Sequence, residues 1–324
     1  MVDCHIHMVL DGVNWKDAIA RHKAVPQEAL IRQTLGHYQA LGFSYLRDGG
    51  DRWGVCGLAA KLAPEYGIRY RSPGFPIYKT GHYGGFIGRG FDGLAEYRAL
   101  VREAKTRGAH FIKLMISGLM DFSQYGVLTG EPLPPDLIRD MIACAHDEGF
   151  SVMAHANGDE AVRAALAGGV DSIEHGAYLT DETLCQLAES GAVWVPTLVT
   201  IGNLIGCGRF PDEVLTPLLA YQMNAVKKAA ALGAKIACGK EAVPRAEHQP
   251  GKQAHPLADV GIPGNGREPH QHGRHAAQRG KHRAQNQHTD GFVSLFHTRV
   301  PLLLRYPDYI QCWYYKKMQK QIFF

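Results

Sequence analysis

The stretch VDCHIHM, Val2 to Met8, places His5 and His7 one residue apart. Val2, Cys4 and Ile6 alternate with Asp3, His5 and His7, a period of two that predicts a strand. Residues i and i+2 of a strand share a face. Two imidazoles on one face have two readings. They form an exposed polar face, or they grip one metal ion, since neutral imidazole is the commonest side-chain metal ligand. Other residues able to do chemistry recur down the chain: Lys113 in FIKLMISG, His155 in VMAHANG, His175 in SIEHG and Glu241 just after KIACG. Taken singly, each has a plain reading. A histidine at a strand end is an ordinary loop residue, and a lysine in a strand lays its stem along apolar neighbours.

The segments that carry them are regular. Strand patterns occur at 2–7, 43–47, 68–72, 110–116, 151–155, 171–175, 192–199 and 235–238. Helical patterns lie between most of them. PPDLIRDMIACAHDEG opens on proline and stops at Gly149, DEAVRAALAGG ends at Gly168, and TDETLCQLAESG runs from a Thr180 cap to Gly191. Segments 94–107 and 213–232 also read as helices. Repeated strand–helix alternation predicts an α/β fold with a parallel sheet. Eight strands predict a closed (β/α)8 TIM-like barrel, where functional residues sit at the C-terminal strand ends. His5 and His7 lie near the end of the first strand, Lys113 inside the fourth, His155 and His175 at the ends of the fifth and sixth, and Glu241 beyond the eighth. That common placement favours a site over scattered loop residues.

Composition narrows the class. With 324 residues, 45% of them hydrophobic, the chain can build a large core. Its seven cysteines are scattered and odd in number, with no C-x-x-C, so a reducing cytoplasm is expected rather than a disulfide framework. No signal-peptide pattern opens the chain and no apolar run is long enough to span a bilayer, so no membrane partner is expected.

VDCHIHM, YLRDGG, FIKLMISG, VMAHANG, SIEHG and KIACG follow one another as in the amidohydrolase superfamily of metal-dependent hydrolases. The chain resembles its imidazolonepropionase-like and prolidase-like dipeptidase branch, over about residues 1–239. The resemblance implies that His5 and His7 bind one metal ion, that His155 and His175 bind a second, and that Lys113 bridges them as a carbamate. Burial favours the neutral amine that attacks carbon dioxide. It also implies two divalent ions, zinc by the ligand types, and hydrolysis of a peptide or cyclic amide C–N bond by a hydroxide held between them. The expected partner is a small-molecule or dipeptide substrate rather than nucleic acid; the oligomeric state is left open. In the family an aspartate ends the eighth strand and shuttles the proton. Here Glu241 adds a methylene and follows Lys240, so weak or no catalysis is expected. Tyr125 in SQYGVL, with Tyr78 and His82 in YKTGHYGG, occupies loops that bind substrate in such barrels. An ordinary polar-loop reading of these residues stands beside that one.

After Gly239 the pattern ends. Net charge is −3 over residues 1–239 and +7 over 240–324, and seven histidines fall between His248 and His288. The barrel is therefore expected over 1–241, incomplete and lacking most of the family's accessory β-sandwich, with an aperiodic tail over 242–324. Three readings fit the tail: a basic His-rich segment that binds metal or nucleic acid in a non-catalytic remnant, a disordered linker, or a change of reading frame near codon 240. The frame change is preferred, because likeness and periodicity stop at one point. Translating the gene around codon 240 in all three frames tests it. An open frame with Asp-Ala in place of Glu241-Ala242 is expected. Closed alternative frames would make the tail genuine and favour the binding remnant.

Overall fold

In a computed structural model the described residues are 1–240; Glu241 and the tail lie outside them. All strand pairs are parallel and form two sheets, ordered β1-β2-β3 and β10-β9-β8-β7-β6-β4-β5. The first contains β1 (Val2–Ile6), β2 (Tyr45–Asp48) and β3 (Arg69–Arg71). The second contains β4 (Pro76–Lys79), β5 (Arg89–Phe91), β6 (Ile112–Met115), β7 (Val152–Ala156), β8 (Ser172–His175), β9 (Val193–Val195) and β10 (Lys235–Ile236).

These sheets are arcs of one (β/α)8 barrel. β3 and β4 are successive pieces of one barrel strand, interrupted at residues 72–75. β3 pairs with β2, and β4 pairs with β6. The other junction is closed by backbone bonds. Cys4 N donates to Cys238 O at 2.7 Å and Lys240 N donates to His5 O at 3.1 Å. All eight expected strands are present. β5 is an addition beside β4. The segment expected at 192–199 pairs only over Val193–Val195, because Thr197 takes φ 44° and a helical turn begins at once.

The helices are α1 (Trp15–His22), α2 (Glu28–Ala40), α3 (Val55–Leu62), α4 (Leu94–Thr106), α5 (Pro135–Asp147), α6 (Asp159–Ala167), α7 (Asp181–Ser190), α8 (Leu198–Gly202) and α9 (Asp212–Ala231). Their ends follow local chemistry. Pro135 opens α5, where its missing N–H costs no bond. Thr180 caps α7 by accepting from Thr183 N, and Gly191 ends it at φ 76°. α5 buries Ile138, Met141, Ile142 and Ala145, a helical stripe. Each buried Ile or Met of the stripe contributes roughly 1.5–3 kcal/mol. β6, β7 and β8 are buried on both faces, as central strands of a parallel sheet covered by helices are. Among the described residues no helix is long and apolar enough to cross a membrane.

Gly239 sits in the closing junction. A Cβ there would lie 2.6 Å from both His5 Cβ and Val195 Cγ1, and 3.0 Å from His5 N. Gly239→Ala is expected to cost about 1–3 kcal/mol by overpacking. Calorimetry should show a lower melting temperature, by roughly 2–4 °C per kcal/mol. An unchanged midpoint would contradict a tight junction.

Candidate active site

Two departures from regular strand geometry build the site. In β1, Asp3 pairs with Leu46 but Ile6 pairs with Asp48, so Cys4 and His5 together face the single Arg47. This is one extra residue, a bulge, which re-aims the side chains after it. In β8, Glu174 is level with His155 of β7 and shares its face, so simple alternation would turn His175 away. His175 instead takes φ 68°, and its ring lies 4.6 Å from that of His155. A left-handed non-glycine residue costs of order 1–3 kcal/mol and persists only where its surroundings fix it. Here Trp194 Nε1 and Gln222 Nε2 both donate to His175 O, at 2.9 and 2.7 Å. The other non-glycine residues with positive φ among those described are Tyr178 and Thr197, and Thr197 also belongs to the site.

The remaining members come from regular pairing. Lys113 of β6 is level with Met153, and Met115 with His155, so Lys113 and His155 share a face. Lys113 and all four histidines are buried. The rings of His5 and His7 are 5.5 Å apart, and those of His5 and His175 4.9 Å. The structure therefore brings His5, His7, Lys113, His155 and His175 together at the C-terminal strand ends.

Burial holds these imidazoles neutral. It pushes the pKa of His7 down to about 4 and that of His155 to about 3, with the Lys113 charge as the next cause in both. His5 and His175 are held well below the ordinary histidine range, again first by burial. Each ring is also anchored. His5 Nδ1 is 2.6 Å from Glu174 Oε2, His7 Nδ1 is 3.1 Å from Gly50 O, and His175 Nδ1 is 2.7 Å from Thr197 Oγ1. His155 Nε2 lies 3.1 Å from Gly118 O, and the Tyr83 ring covers it at 4.8 Å. His5 Nε2 is buried with no hydrogen-bond partner among the described residues.

Neutral, buried imidazoles suit a divalent metal in donor type and protonation. The rings are not already arranged around a point. Among the described residues no three His, Cys, Asp or Glu side chains form a ready coordination group. His155 shows why, since its Nε2 is turned onto a backbone carbonyl.

The expected substrate residues lie further out. Tyr125 is exposed, with its ring 5.7 Å from that of Tyr178. His82 is exposed in the loop after β4, while its neighbour Tyr83 stacks on His155. Tyr78 packs beside the same loop's glycines, where a Cβ on Gly84 would lie 2.6 Å from its own Cβ. Glu174, Arg47, Thr197 and Tyr83 are not singled out by the sequence alone. Glu174 and Arg47 were inside quoted motifs, SIEHG and YLRDGG. For Glu174 the signal is a charged residue inside a fully buried strand. Gly49 had a signal too, for a Cβ there would lie 2.4 Å from His7 Cε1.

Comparison with known proteins adds the relationship. The family model described as "Amidohydrolase family" matches residues 53–289. An uncharacterized protein of Mycobacterium tuberculosis is 33% identical over 157 residues, 46% of this chain and 41% of its own. Ochratoxinase of Aspergillus niger is 26% identical over 280 residues, 75% of this chain and 57% of its own. The chain thus spans about two fifths to three fifths of the length of these curated relatives. A prolidase solved in complex with N-methylphosphonate-L-proline superposes with a TM-score of 0.59 at 27% identity, covering 75% of this chain and 65% of that one.

The lowered histidine pKa values fix the sign of a pH effect. Unfolded histidine titrates near 6.5, so at pH 4–6.5 the unfolded chain binds protons that these rings refuse. Stability then rises with pH. His22 and His110, also lowered by burial, add in the same sense. Asp3 and Asp48, raised by burial to about 7, and Asp51, also raised, oppose it. The six histidines outnumber the three carboxyls. Urea unfolding of chelator-treated protein is therefore expected to show greater stability at pH 6.5 than at pH 5. His155→Asn should flatten the slope by up to roughly 1.4 kcal/mol per pH unit. An unaltered slope would mean that His155 is not held neutral.

Proposed function

The chain belongs to the amidohydrolase family, and from that premise we propose that it is a metal-dependent hydrolase of an amide or peptide C–N bond. The observation that carries the reading is the set of four buried, neutral imidazoles gathered with buried Lys113 at the C-terminal strand ends. His5 and His7 would hold one divalent ion and His155 and His175 a second, with Lys113 between them as a carbamate. Zinc suits these donors. Bound ions supply an activated water and polarise the substrate carbonyl.

The protein's own residues then position, shield and move protons. Gly50 O and Thr197 Oγ1 fix the rings of His7 and His175. The Tyr83 ring shields His155 from solvent. Tyr125 and His82, in the loops after β6 and β4, are the proposed substrate contacts. Glu241 is the proposed carrier of the proton from water to the leaving nitrogen. Its longer side chain, beside Lys240, makes slow turnover the expectation. The relatives named ochratoxinase and prolidase support an amide or dipeptide substrate. The cysteines described are free, which supports a cytoplasmic setting.

The test is hydrolysis of Xaa-Pro dipeptides, cyclic amides and N-acyl aromatic amino acids by purified protein with zinc and bicarbonate. Slow but multiple turnover is expected for one class. Lys113→Ala should reduce it by at least about 100-fold, and chelation should abolish it. Turnover that survives both changes, or no turnover with any class, would contradict the reading.

A further inference from the structure

Glu174 is fully buried one residue before His175, and it meets a ring 169 residues earlier in the chain. Its Oε2 lies 2.6 Å from His5 Nδ1. Its Oε1 is held by Ser172 Oγ at 2.9 Å and by Arg47 Nη2 at 3.2 Å. Arg47 is itself braced, donating to Ser172 Oγ at 2.5 Å and standing 5.0 Å above the Phe111 ring. The carboxylate is thus fixed at one oxygen and presents the other to a single ring nitrogen.

We propose that Glu174 is the positioning residue of His5, holding the proton on Nδ1 so that the Nε2 lone pair is free to bind metal. A carboxylate only accepts hydrogen bonds, so Nδ1 must be the donor. His5 Nε2 is then the pyridine-type nitrogen, and it is the atom left buried with no hydrogen-bond partner among the described residues. His7 and His175 have uncharged partners at Nδ1, a carbonyl and a hydroxyl. At His5 the described partner, Glu174, is a carboxylate, which raises ligand basicity as well as fixing the ring. The bulge at Cys4 and His5 includes the residue whose ring meets the carboxylate. The metal-binding half of the proposal rests on the metal-dependent reading above.

The test uses two variants and two readouts. Glu174→Gln keeps the shape and one acceptor oxygen, while Glu174→Leu removes the acceptor. In metal-free protein, nitrogen-15 NMR of the histidine rings reports the tautomer directly. His5 is expected as the Nδ1-protonated form in the wild type and in Glu174→Gln, and as a mixture or the Nε2-protonated form in Glu174→Leu. Zinc affinity, measured by competition with a chromogenic chelator, should fall about 10–100-fold in Glu174→Leu and recover largely in Glu174→Gln. A purely structural role would lower the melting temperature of both variants and leave the tautomer and the affinity ratio unmoved; that result would overturn the proposal. A wild type that shows the expected tautomer but binds no zinc would instead contradict the metal-dependent function, and the metal-free spectra separate the two failures.

Discussion

The barrel junction is the interaction on which the site depends. Two backbone hydrogen bonds, Cys4 N to Cys238 O and Lys240 N to His5 O, tie the first strand to the segment after the last. Without them His5 and His7 would belong to a three-stranded sheet, and Lys113, His155 and His175 to a separate seven-stranded one. The junction brings residues more than 150 positions apart into ring contact. Gly239 lies in it because no larger residue fits between His5 and Val195.

Gathering those groups is electrostatically unfavourable. Burial opposes charge on each imidazole, and Lys113 opposes protonation of all four. The protein fixes the orientation of the rings with one buried carboxylate, Glu174, at His5 and with a carbonyl or hydroxyl at the others. Backbone strain at His175 and Thr197 is held in place by Trp194, Gln222 and the His175–Thr197 bond. Neutral rings are also the form that binds a metal, so the same burial that destabilises charge prepares the ligands.

Much of this was legible in the sequence. The parallel α/β order followed from alternating periods and from caps such as Thr180 and Gly191. His155 and His175 stood out by falling at successive strand ends, and Lys113 as a lysine inside the strand before them. The spacing of His5 and His7 gave their common face, but not the bulge that turns it inward, since an extra residue leaves period-2 patterning intact on each side. His175 was found by motif, whereas strict alternation would have pointed it outward. Tyr83 and Thr197 were hidden for another reason: their contacts depend on loop conformation, which local pattern does not encode. β5 was missed because a three-residue strand, Arg-Gly-Phe, has too few positions to show a period.

The central claim is that these five side chains form one divalent-metal centre. An anomalous difference map at the zinc edge, from crystals grown with zinc and bicarbonate, tests it most directly. The expected result is strong anomalous density enclosed by the rings of His5, His7, His155 and His175, with the Lys113 amine extended by a carboxyl group. Zinc bound only elsewhere, with His155 Nε2 still on Gly118 O and Lys113 unmodified, would contradict it.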